Sequence, residues 1–139
     1  MRVGQITHIG QVRSVNQDAY FIEDTLLAVA DGMGGHKAGE VASKLAVEVL
    51  ARWSFDGHDP EISLNKALHS ANSRIFHAAK QNPEMAGMGT TLSLVWVLQE
   101  HAYVAHIGDS RIYRFVNGEL EQLTWDHSVV GELVRNGAL

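Results

Sequence analysis

"LLAVADGMGGHKAGEVASKLAVEVL" (residues 26–50) decides how this chain is read. An apolar run ends in Asp31, a glycine-rich loop follows, and an amphipathic helix pattern begins near Ala38. A strand, loop and helix in that order can hold a nucleotide phosphate or a metal ion, and the loop can also be a plain turn. The dinucleotide fingerprint G-x-G-x-x-G is not met, because the run from Gly32 reads G-M-G-G-H-K. The phosphate-binding loop G-x-x-x-x-G-K-[ST] is absent too. Asp31 at the strand end would repel a phosphate unless a cation stood between them. Its carboxylate is instead a hard oxygen donor of the kind magnesium and manganese prefer. One aspartate holds a divalent cation poorly, so this reading needs more carboxylates. Two more are at hand: Asp18 opens a strand, and Asp109 lies beside Gly108 between two strands. Each taken singly reads more readily as a turn-forming or capping aspartate.

Working outward, residues 3–9 read as a short strand, "AYFIED" (residues 19–24) as another, and "LLAVAD" (residues 26–31) as a third. The last is apolar from Leu26 to Ala30, which predicts burial on both faces. Val41, Ala42, Leu45, Ala46, Val49, Leu50 and Trp53 recur at helical spacing. A second helix is expected over residues 61–80, with Leu64, Leu68, Ala71, Ile75 and Ala79 on one side and Asn82-Pro83 ending it. "TTLSLVWVL", "AYVAHIG", "RIYRFV" and "LEQLT" then read as strands, the last two joined by an Asn-Gly turn. Asp126 is placed to cap a short helix through Val130, Leu133 and Val134. Strands do not alternate with helices, so a doubly wound parallel sheet is not expected. Paired helices on antiparallel sheets fit better.

The 139 residues suit one domain, and 45% apolar content suffices for a core. A net charge of −5 lacks the basic footprint of a nucleic-acid binder. No long basic run points to a membrane surface. No stretch reaches the roughly 18 apolar residues of a membrane span. There is no cysteine, which excludes disulfides and thiolate metal sites. The first residues carry no apolar signal core, so a cytoplasmic protein is the expectation.

The blocks "VRSVNQDA", "VADGMGGHKAGEVAS", "MGTT", "AHIGDSRIYRF" and "LTWDHSVV" occur in this order. Together they closely resemble the metal-dependent Ser/Thr protein phosphatases of the PPM (type 2C) family, bacterial branch, from about Gly4 to the last residue. The resemblance implies an α+β fold, an antiparallel β-sandwich flanked by helix pairs in α-β-β-α layers. It implies that Asp18 and Asp31 bind a pair of manganese or magnesium ions, with Gly32 adding its backbone carbonyl. Asp109 would belong to a third, weaker metal position, and Arg13 would hold the substrate phosphate. His36 is a candidate general acid for the leaving oxygen; eukaryotic members carry their acid directly after the Asp-Gly pair, where this chain has Met33. Gln17 stands where many members have glutamate, and His8 where bacterial relatives often have aspartate. Thr90 and Thr91 read as strand residues supporting the site.

Residues 1–139 are expected to form the N-terminal portion of one phosphatase catalytic domain, incomplete at the C-terminus. Family members continue into further strands that carry two more metal aspartates. Weak or absent activity is therefore expected of this chain alone, together with self-association through unpaired sheet edges. The implied partners are phosphoserine and phosphothreonine proteins made by a bacterial Ser/Thr kinase, with no nucleic acid and no membrane. A non-catalytic binding module on the same scaffold is the alternative.

Overall fold

The computed structural model describes residues 1–35, 38–128 and 135–136. Its elements are β1 (Asp18–Glu23), β2 (Leu26–Met33), α1 (Ala38–Arg52), α2 (Pro60–Gln81), a 3-10 turn (Pro83–Met85), β3 (Gly89–Thr90), β4 (Leu92–Leu98), β5 (His101–Ile107), β6 (Tyr113–Val116) and β7 (Glu119–Gln122). The architecture is α+β. β1, β2, β4 and β5 form an antiparallel sheet in that order, with β3 paired to the end of β2. β6 and β7 form a separate antiparallel hairpin. Asn117 and Gly118 at its turn have φ of 53° and 86°, the conformation that makes Asn-Gly a hairpin signal.

Both helices lie on one face of the sheet. α1 buries Ala38, Gly39, Ala42, Ser43, Ala46 and Leu50, and α2 buries Ser63, Leu64, Ala67, Ala71 and Ile75. These rows are built mostly from small residues, so the helices and strands approach closely. The larger Val41, Leu45 and Val49 of the expected stripe pack at its margin. The sheet answers with Phe21, Leu26, Ala28, Ala30, Leu92, Leu94 and Trp96. Phe55, just beyond α1, meets Trp96 edge-on with ring centroids 5.4 Å apart. Pro60 opens α2, where its missing N–H is harmless.

Two expectations are corrected. β2 is not buried on both faces: Leu26, Ala28 and Ala30 are buried, while Val29 is 50% exposed. Among the described residues the helices cover only one side of the sheet. Tyr20, Ile22 and Val104 are likewise exposed on the other side. Residues 3–9 form no strand, and Ile6 is 93% exposed. A strand needs a ladder partner, and among the described residues β1 pairs only with β2. Ile6 and Thr7 instead border the open face beside Asp18, Val29 and Asp31. The helix expected through Val130, Leu133 and Val134 lies outside the described residues. The Asp126 carboxylate, expected to cap it, is engaged by Arg111.

Leu94 is fully buried at the centre of the sheet. Leu94→Ala is expected to lower stability by about 2–5 kcal/mol, through lost transfer energy and the cavity left behind. Urea unfolding measures this, and a loss below about 1 kcal/mol would show that the helix–sheet seam is not the core.

Candidate metal centre

Register places the first two carboxylates. Asp18 begins β1 and Asp31 lies near the end of β2, directly opposite each other in the antiparallel ladder. Side chains alternate across a strand, so both share the open face with Tyr20 and Val29. They line a pocket of about 220 Å³ with Ile6, Thr7 and Ser110. Asn16 prepares the entry to β1: its Oδ1 accepts the Asp18 N–H at 3.0 Å and its Nδ2 donates to Thr7 Oγ1 at 2.8 Å.

Burial pushes the Asp31 carboxyl above the ordinary carboxylate range. The facing Asp18 adds to this by its charge and by a hydrogen bond, and Asp109 adds a smaller push. Arg13 pulls in the opposite direction. Register brings Asp18 and Asp31 together, and the charges of Asp109 and Arg13 are felt at Asp31 from other parts of the chain. Like charges held face to face make a site that gains from a cation.

The strand end is locked by a contact with no side chain in it. A Cβ on Gly32 would lie 2.0 Å from the Gly39 carbonyl oxygen, and one on Gly39 would lie 2.8 Å from the Gly32 carbonyl carbon. Gly32 N–H donates to the Gln17 carbonyl at 3.1 Å. The Gln17 side chain packs on Gly39, 2.9 Å from where a Cβ would stand. The end of β2, the start of α1 and the residue before Asp18 therefore meet at one point. A glycine in the first turn of a helix weakens it against alanine, which was the signal for Gly39 that the helix pattern alone concealed.

Asp109 follows β5 between Gly108 and Ser110. Ser110 is the other residue that the sequence reading passed over, and its hydroxyl lies 2.7 Å from Thr91 Oγ1. Beyond it, Arg111 grips Asp126 with two hydrogen bonds of 2.9 and 2.7 Å. His106 is tied to its surroundings by both ring nitrogens, with Nδ1 2.9 Å from Ser93 Oγ and Nε2 3.2 Å from the Trp125 carbonyl. His69 and His77 are exposed on α2. His36 lies outside the described residues.

The donors at hand are oxygens, which fits manganese or magnesium. Asp18 and Asp31 would hold the cation between them, with Gly32 fixed beside Asp31. Among the described residues no group of three or more His, Asp or Glu side chains closes into a cage. The facing pair is thus a partial donor set, which waters and further oxygens would complete.

Residues 7–136 match the protein phosphatase 2C family. The Serine/threonine protein phosphatase PstP of Mycobacterium tuberculosis is 42% identical over 132 residues, covering 94% of this chain and 26% of that protein. The Serine/threonine phosphatase stp of Listeria monocytogenes is 38% identical over 144 residues, covering 96% of this chain and 57% of that protein. The catalytic domain of PstP in complex with two manganese ions superposes with a TM-score of 0.88 at 41% identity, over 95% of this chain and 58% of that one. The Mycobacterium smegmatis phosphatase MsPP with cacodylate gives a TM-score of 0.84 at 41% identity, over 96% and 57%. The chain spans 26% of the length of PstP and 60% of a Streptococcus pyogenes relative.

A raised Asp31 means that its charge opposes folding at neutral pH. The penalty is absent below the ordinary value of 3.8, grows as pH rises through the folded value, and is complete above it. Asp31→Asn is therefore expected to raise the Tm of the metal-free protein at pH 7, with the gain vanishing towards pH 3. Manganese should raise the Tm of the wild type and not of the variant. Thermal melts at both pH values check this; a variant that melts no higher than the wild type at pH 7 removes the charge-repulsion account.

Proposed function

We infer the function of this chain from its place in the fold, for it belongs to the protein phosphatase 2C family. The proposed reaction is hydrolysis of phosphoserine and phosphothreonine in proteins. The observation that carries it is the register that sets Asp18 against Asp31 on one open face of the sheet. A bound manganese or magnesium pair supplies positive charge and a water of lowered pKa as nucleophile.

The chain's own residues do the rest. Asp18 and Asp31 hold the cations, on strands braced by the helix layer. Gly32 adds its carbonyl, and Asp109 serves the third, weaker position. Arg13 offers a planar, permanently charged fork for two phosphate oxygens. It would orient the phosphate and balance charge as the leaving oxygen departs. His36 is proposed, on its sequence position alone, to protonate that oxygen. No cysteine is available as a nucleophile, consistent with attack by water.

The substrates proposed are phosphoproteins made by a bacterial Ser/Thr kinase, and the location proposed is the cytoplasm. No helix among the described residues is long and apolar enough to cross a membrane. The second reading is a non-catalytic binding module. It takes its support from the partial donor set of the described residues.

Phosphoserine-peptide hydrolysis in manganese separates the two. In the full-length encoded protein, Asp31→Asn is expected to lower kcat/KM by about 100-fold or more, and Arg13→Ala by about 100-fold with partial recovery in Arg13→Lys. Manganese binding without any turnover would favour the binding module. This chain expressed alone is expected to turn over slowly or not at all.

A further inference from the structure

Thr91 sits between β3 and β4 and holds Asp31 twice. Its N–H donates to the Asp31 carbonyl at 2.9 Å, and its Oγ1 accepts the Asp31 N–H at 2.9 Å. The same Oγ1 lies 2.7 Å from Ser110 Oγ. A hydroxyl has one proton and two lone pairs, so Thr91 can meet Ser110 while still accepting from Asp31. The other side of the Thr91 side chain carries Gly108. A Cβ on Gly108 would stand 2.6 Å from Thr91 Cγ2 and 2.8 Å from its Cβ, and Gly108 has φ of +104°. Both neighbours of Asp109 therefore rest on one side chain: Gly108 by close packing and Ser110 by a hydrogen bond.

The loop has separate anchors further out. His127 N–H donates to the Gly108 carbonyl at 2.8 Å, Ile112 N–H donates to Thr124 Oγ1 at 3.0 Å, and Arg111 holds Asp126. Loss of the Thr91 bridge should then shift Asp109 without releasing the loop. A carboxylate on a loop binds a cation well only if it is held within about 0.5 Å of its working position.

We propose that Thr91, through its hydroxyl bridge to Ser110, is the positioning residue that sets Asp109 against Asp31 and so governs cation binding at Asp109. The proposal rests on reading Asp18, Asp31 and Asp109 as cation-holding residues. Ser110→Ala isolates the bridge, because it leaves both bonds between Thr91 and Asp31 intact. Thr91→Val removes the hydroxyl at nearly constant volume, and Thr91→Ser keeps it.

The test is manganese calorimetry on the full-length encoded protein, with thermal melts to confirm folding. Ser110→Ala and Thr91→Val are expected to weaken the weakest manganese site by about 10–100-fold, the range for lost supporting hydrogen bonds. The manganese concentration for half-maximal phosphopeptide turnover should rise by the same factor, with KM for the peptide unchanged. Thr91→Ser should stay near wild type. Folded Ser110→Ala and Thr91→Val proteins that bind manganese like wild type overturn the proposal, as does Thr91→Ser failing alongside Thr91→Val. Asp31→Asn binding manganese like wild type defeats the underlying cation reading instead, and this inference falls with it.

Discussion

Two carboxylates of like charge face each other where β1 begins and β2 nears its end, and the fold must hold them there against their repulsion. The restraint comes from the opposite side of the sheet. Ala28 and Ala30 of β2 pack under α1, whose Ala42 and Ala46 are themselves fully buried. Because the contacting residues are small, backbone lies near backbone and little can rearrange. The Gly32–Gly39 contact continues this seam to the strand tip. A site that resists relaxation retains its unfavourable charge until a cation relieves it, which is preorganisation in physical terms.

Much of this was legible in the sequence. The helices were marked by their periodic apolar rows and by Asn82-Pro83, and α2 runs from Pro60 to Gln81 against an expected 61–80. Asn117-Gly118 announced its hairpin because two consecutive positive φ values favour those residues. The run from Leu26 to Ala30 misled because apolar content reports what a strand could bury, not whether a second layer covers it. Residues 3–9 misled for a related reason: their composition suits a strand, but pairing is a tertiary event.

The site shows the same division. Asp18, Asp31 and Arg13 could be named from motif blocks, and the β1–β2 register sets the first two against each other. The bidentate Arg111–Asp126 pair and the Thr91–Ser110 contact could not, since each joins residues brought near only by sheet topology. Asp126 shows the cost of purely local reasoning. An aspartate before a helical pattern reads as a cap, while the residue that claims it is fifteen positions upstream.

The Gly32–Gly39 seam also bears on how such a protein can change over generations. A contact between two backbones has no adjustable part, so it is kept or lost whole. Drift in this corner of the molecule is then confined to side chains with exchangeable partners. Variation among such proteins should accumulate in the polar surroundings of the site, while its glycine seam acts as a fixed origin from which the other distances are measured.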